Sequence, residues 1–165
     1  MWTLERLCFR EETFHRASNL MLDFAVAENE KRISNNATGM FKALFKIYLS
    51  VTEVPAIKRL STIDDALASN DSARRKITIA ALGQALETQY FSRLGGAEVQ
   101  GSGRALEDWQ PSTDTERIDY YRAYLLRLVQ EAVARGDAGS AKHEMAERFR
   151  GLVGIGMIGE ESWMV

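Results

Sequence analysis

The chain has few of the residues that constrain a fold covalently or interrupt helices. Its 165 residues include one cysteine, Cys8, and two prolines, Pro55 and Pro111. A single cysteine excludes an internal disulfide, which is typical of proteins from a reducing compartment. Scarce proline, together with plentiful Ala, Leu, Glu, Arg and Lys, favours helix over other structure.

Long apolar runs and an excess of charge of one sign are also lacking. No segment offers the ~20 apolar residues that a membrane-spanning helix needs. The N-terminus has no basic region followed by an apolar run, so we do not expect it to act as a secretory signal. The formal net charge is -2, which gives no general attraction to nucleic acid or to an anionic membrane. We therefore expect a cytoplasmic protein with neither as a partner.

Apolar residues recur at spacings of three and four, which predicts seven helices. The predicted helices lie at about 2–9, 12–31, 37–50, 55–67, 73–88, 114–134 and 140–153. Polar residues that can accept hydrogen bonds from the first turn precede three of them. The candidate caps are Asn35 or Asn36, Asp71 or Ser72, and Thr113 or Asp114.

Short turns join the fourth helix to the fifth and the sixth to the seventh, so both pairs are predicted to be helical hairpins. Successive hairpins indicate an all-α fold, either a HEAT-like α-solenoid or a closed bundle. At this length one domain is expected. We divide it into a first helical half (1–88), a long loop (89–115), a helical hairpin (116–153) and an apolar tail (154–165).

The loop at about 89–115 is rich in Gly, Ser, aromatic and charged residues. Loops of this length are uncommon in compact domains and are usually functional or disordered. We expect its apolar residues to anchor it to the helices; these are Tyr90, Phe91, Leu94, Leu106 and Trp109. Its charged and aromatic residues form the candidate binding surface, which consists of Arg93, Glu98, Arg104, Glu107, Asp108 and Trp109. Alternatively, these charges pair locally and hold the loop on the helices.

Catalytic patterns are incomplete. A zinc protease needs His-Glu-x-x-His on one helix, and here Glu147 takes the place of the second His after His143. Cys8 and His15 lie on different predicted helices, so the thiol has no oriented base. We predict no metal site and no cofactor. The alternative is a small-ligand or metal-dependent enzyme that uses Glu28, Glu30, His143 and Glu144.

The apolar and glycine-rich residues 151–159 form an unusual C-terminal segment, followed by Trp163 and Met164. Such a segment seldom stays exposed. It is expected to cover the core of its own chain, a neighbouring domain or a second copy. The last possibility makes a self-associating scaffold, with a homo-oligomer formed through the tail, a further alternative.

Two segments carry a family resemblance. AVAENEKRISNNATGMFKALFKIYLSVTE, beginning at Ala25, and ALETQYFSRLGGAEVQGSGRALEDWQPST, beginning at Ala85, resemble the helical, HEAT-like regions of large bacterial defence and signalling proteins. Those proteins combine such a region with a sirtuin-like or STAND-type NTPase effector.

The resemblance implies a sensor or scaffold that binds a protein partner or a neighbouring domain and controls an effector. The chain has neither a Walker motif nor a dinucleotide-binding fingerprint, so no catalytic residue of the family can be carried over. We therefore predict a non-catalytic interaction module, which could be a fragment or remnant of a larger conflict-system protein.

Overall fold

The computed structural model describes residues 2–29, 36–92, 106–134 and 138–156, which fold into helices and contain no strand. The helices are α1 (Trp2–Phe9), α2 (Glu11–Ala27), α3 (Ala37–Ala43), α4 (Ala56–Ala68), α5 (Ser72–Ala85), α6 (Asp114–Ala134) and α7 (Ala138–Gly154). The all-α prediction is confirmed. None of the described helices is both long enough and apolar enough to cross a membrane.

Polar side chains fix the beginnings of α3 and α5, as the sequence predicts. The side chain of Asn36 accepts a hydrogen bond from Gly39 N at 2.7 Å, and that of Asp71 accepts one from Ala73 N at 2.8 Å. Glu28 adds a second cap to α3, because its carboxylate accepts hydrogen bonds from the backbone of Ala37 and Thr38. Each cap satisfies an amide that has no partner within its helix.

The prediction for α3 is wrong at its C-terminal end, since the helix ends at Ala43 rather than near residue 50. Residues 44–54, here called the platform segment, are irregular. The guanidinium of Arg59 on α4 binds three carbonyls of this segment, those of Leu44, Lys46 and Val54. The apolar spacing could not reveal this, because the competing donor comes from a later helix.

Helix α5 lies at the centre of the molecule and packs against α2, α3, α4, α6 and α7. In each predicted hairpin the two helices pack against each other, α4 with α5 and α6 with α7. Of the face predicted for α6, Tyr121, Leu128 and Ala132 are buried. Ile118, by contrast, is an exposed apolar residue, so the apolar stripe of α6 extends beyond the side that faces the core.

Candidate binding surface

The platform segment is organised around one arginine. The Nε of Arg59 donates to Val54 O at 2.7 Å, and its Nη1 donates to Leu44 O and to Lys46 O, both at 3.0 Å. These carbonyls belong to a stretch without regular structure, so they have no helical donors. A buried carbonyl without a partner is costly, and Arg59 removes that cost at three positions.

Arg59 is fully buried, yet it forms no ion pair with any described residue. Burial lowers the pKa of its guanidinium, while the nearby Tyr124, Tyr120 and Asp108 act in the opposite direction. The guanidinium carbon lies 5.3 Å from the centre of the Trp109 ring, a distance at which an aromatic face attracts a cation. Neutral carbonyls, this aromatic face and the nearby Asp108 carboxylate therefore stabilise the buried cation.

Two tyrosines of α6 connect the same region to the core. The hydroxyl of Tyr120 lies 2.7 Å from Phe45 O and 2.6 Å from Ala85 O, and that of Tyr124 donates to Ala56 O at 3.0 Å. Burial raises the pKa of both hydroxyls well above the usual value. Both therefore stay protonated and tie the platform segment to α4, α5 and α6.

The C-terminal end of the long loop is fixed on the platform segment. Asp108 accepts a hydrogen bond from Val51 N at 3.1 Å, and Trp109 N donates to Thr52 O at 2.7 Å. The ring of Trp109 also stacks near Arg59, as described above. Together these contacts hold the loop where it returns toward α6.

The N-terminal end of the loop reaches the same segment. The ring of Phe91 lies 5.0 Å from that of Tyr48 in an edge-to-face arrangement, which is a favourable aromatic geometry. The buried Lys46 extends its ammonium to Ser92 O at 3.1 Å. Both described ends of the loop are thus held on the same eleven-residue platform segment.

Backbone strain occurs in the platform segment and at the start of the long loop. Leu49, Val51 and Tyr90 have positive φ angles of 56°, 60° and 58°. Non-glycine residues rarely adopt this region, and the conformation costs on the order of 1–3 kcal/mol per residue. Val51 is held there through Asp108. The side chain of Tyr90 is 93% exposed and contributes little packing in return.

The predicted binding-surface residues divide into two groups. Three lie outside the described residues: Arg93, Glu98 and Arg104. Glu107 is exposed, whereas Asp108 and Trp109 are half-buried and contact the platform segment. Phe91 and Trp109 pack against the core as expected of anchors. Tyr90 is not an anchor, because almost all of its side chain faces solvent.

The residues of the alternative enzyme hypothesis have other contacts. Both carboxylate oxygens of Glu28 bind the first turn of α3, and Glu30 lies outside the described residues. On α7, His143 is exposed, while the Glu144 carboxylate lies against Gly83 and 4.0 Å from Arg148. Within the described ranges, no group of three His, Cys, Asp or Glu side chains is arranged to hold a metal ion.

Cys8 and His15 likewise do not form a nucleophile–base pair, because each has other neighbours. Cys8 is buried, and desolvation, helped by the negative charge of Glu5, raises the pKa of its thiol to about 12. His15 is exposed and its Nε2 lies 2.8 Å from the carboxylate of Asp65. The thiol therefore stays protonated at neutral pH and packs as a small apolar group.

Sequence reasoning missed Arg59, although the sequence contains a signal for it. Arg59 lies three residues after Ala56 and four before Ile63, on the stripe that α4 buries. A charged residue on an apolar stripe indicates that the fold supplies buried hydrogen-bond acceptors. The position of those acceptors, in the platform segment and next to Trp109, comes only from the tertiary structure.

Comparison of the chain with protein-family models, with curated proteins and with solved structures found no match.

Proposed function

We propose that the chain is a non-catalytic helical interaction module that presents the long loop to a protein partner. The observation that carries this proposal is the fixation of both loop ends on the platform segment. A loop fixed at both ends loses less conformational entropy on binding than a free one. Binding residues commonly lie on loops that a rigid scaffold positions in this way.

Tyr90 is the described residue best suited to contact the partner. It is almost fully exposed, it directly precedes the anchored Phe91, and its backbone is held at a positive φ. Tyrosine is enriched among the residues that dominate binding energy in protein interfaces. Glu107 lies exposed at the other end of the loop and gives this surface a negative charge.

The resemblance to sensor regions of bacterial defence proteins supports the same proposal and suggests the kind of partner. In this view the partner is an effector domain or another protein of a conflict system in the bacterial cytoplasm. A HEAT-like stacking of the hairpins would suit such a role, because α-solenoids commonly provide extended binding surfaces.

The test compares three single variants in an affinity purification from host lysate, with and without phage infection, quantified by mass spectrometry. Tyr90→Ala removes the exposed ring, Trp109→Ala releases one loop end, and Phe24→Ala removes an exposed ring of α2 as the control. We expect one specific partner to be lost at least ~10-fold with Tyr90→Ala, a change typical of a central interface residue.

Circular dichroism should show that Tyr90→Ala unfolds at the same temperature as the parent chain. Trp109→Ala should lower both stability and binding, while Phe24→Ala should leave the partner bound. The proposal is wrong if the parent chain captures no specific partner, or if Tyr90→Ala and Phe24→Ala retain the partner equally.

A further inference from the structure

The outer side of the α6–α7 hairpin carries a cluster of exposed apolar side chains. The cluster, here called the hairpin face, consists of Ile118, Leu126 and Val133 on α6 and Phe149 and Val153 on α7. Val133 is 83% exposed, Phe149 is 54% exposed and Leu126 is 52% exposed. Single exposed apolar residues are ordinary, but a contiguous patch marks a binding surface.

The contacts of α6 place its three residues on one outward side. Tyr124 and Arg127 contact α4, and Glu131 pairs with Arg75 of α5. At about 100° of helical rotation per residue, Ile118, Leu126 and Val133 fall within one quarter-turn or so on the side away from these partners. They extend along about 22 Å of helix at ~1.5 Å per residue.

The contacts of α7 place Phe149 and Val153 next to this stripe. Glu144 lies against Gly83 of α5, and Arg148 approaches Glu87, which follows α5. The flank of α7 that carries Glu144 and Arg148 therefore faces α5. Phe149 and Val153, four residues apart, lie on the other flank. Only three residues connect α6 and α7, so the two helices run back along each other and their apolar flanks form one surface.

Two cations without an ionic partner among the described residues lie beside the hairpin face. Lys142 and Arg150 are exposed on the same flank of α7 and form no ion pair with any described residue. Arg122 of α6 is 71% exposed at its side chain and lies 3.7 Å from the carboxylate of Asp119, which offsets most of its charge. The exposed Glu147 is three residues before Arg150 and can partly offset its charge, but it lies about 160° around α7 from Phe149 and so away from the hairpin face.

We propose that the hairpin face binds an acidic amphipathic helix of a partner protein. An apolar stripe of about four turns matches the i, i+3, i+4, i+7 side chains of such a helix. The cations at the edge of the stripe select glutamate or aspartate on the flanks of the ligand. None of the five residues of the hairpin face belongs to the long loop, so the proposal does not depend on the proposed function.

The test uses a fluorescein-labelled 21-residue helical peptide, about the length of α6, with a leucine stripe and glutamate flanks. A second peptide has lysine in place of glutamate. We expect saturable binding of the glutamate peptide in fluorescence anisotropy and at least ~10-fold weaker binding of the lysine peptide, equivalent to 1.4 kcal/mol. Equal binding of both peptides would contradict the proposed charge selectivity.

Variants locate the site and distinguish it from other occupants. Leu126→Ala and Phe149→Ala should each weaken the glutamate peptide by ~10-fold, while Phe24→Ala, which removes an equally exposed ring on α2, should not. The double variant Lys142→Glu with Arg150→Glu should reverse the preference toward the lysine peptide. These positions are on the surface, so melting temperatures should stay within a few degrees.

Three further results would overturn the proposal. If sedimentation shows a dimer that Leu126→Ala converts to monomer, the hairpin face binds a second copy of the chain. If vesicles of phosphatidylserine bind the chain and this binding is lost in the Lys142→Glu and Arg150→Glu variant, the face binds an anionic membrane. Absence of saturable binding of the glutamate peptide would also exclude the proposed partner.

Discussion

Replacement of Arg59 by methionine tests whether the platform segment depends on this buried cation. Methionine has a similar length and helix propensity, so α4 itself should be little affected. The change removes the hydrogen bonds to the carbonyls of Leu44, Lys46 and Val54. It also removes the cation that faces the ring of Trp109.

The expected cost follows from two opposing effects. A buried carbonyl left without a donor costs about 1–3 kcal/mol, so three of them give a gross loss of about 3–9 kcal/mol. Removal of a buried charge returns its desolvation penalty, which amounts to several kcal/mol in proteins. We expect the first effect to dominate and the free energy of unfolding to fall by about 2–4 kcal/mol, a large part of the ~5–15 kcal/mol that is typical of a domain.

Urea unfolding followed by circular dichroism measures this loss directly. Arg127→Met is the matched control on α6, because Arg127 forms a two-pronged ion pair with Asp64 at 2.6 and 2.9 Å near the surface. Such a pair contributes about 0–1 kcal/mol. Hydrogen exchange adds a local readout, since the Trp109 amide that binds Thr52 O should lose protection in Arg59→Met alone.

The reasoning would be refuted if Arg59→Met were as stable as Arg127→Met or more stable than the parent chain. That result would mean that the desolvation of the guanidinium outweighs its three hydrogen bonds. Unchanged protection of the Trp109 amide would show that the loop end is held without Arg59.

Two further predictions concern buried tyrosines and the capping of α3. Burial raises the pKa of Tyr121 to about 12, above the ordinary ~10. The stability that its protonated hydroxyl contributes should therefore be fully present below pH ~10 and be lost as the pH rises from ~10 to ~12. Tyr121→Phe should flatten this fall in the free energy of unfolding, measured by urea titration at each pH, and an unchanged dependence on pH would exclude Tyr121 as its source. Glu28→Ala should lower the free energy of unfolding by about 1–2 kcal/mol, because two amides at the start of α3 lose their acceptor. Glu147→Ala, at an exposed position in the middle of α7, is the control, and an equal effect of both would show that the cap contributes nothing.

The sequence alone predicted the helices whose boundaries depend on neighbouring residues. The fifth helix begins where expected because the Asp71 carboxylate accepts hydrogen bonds from amides only two and three residues later. The hairpin partners followed from short connections, and burial of Phe41 followed from apolar spacing. These features are local, so propensity, capping and periodicity suffice to infer them.

Only the tertiary structure decided how the loop is held and which apolar residues stay outside. Trp109 contacts Arg59, which lies fifty residues earlier, and Phe91 contacts Tyr48; neither pairing has a local signature in the chain. The periodicity of α6 places Ile118 on the same stripe as Tyr121 but cannot show that the core ends between them. A stripe specifies which side of a helix is apolar, whereas the packing of the neighbouring helices determines how much of that side is covered.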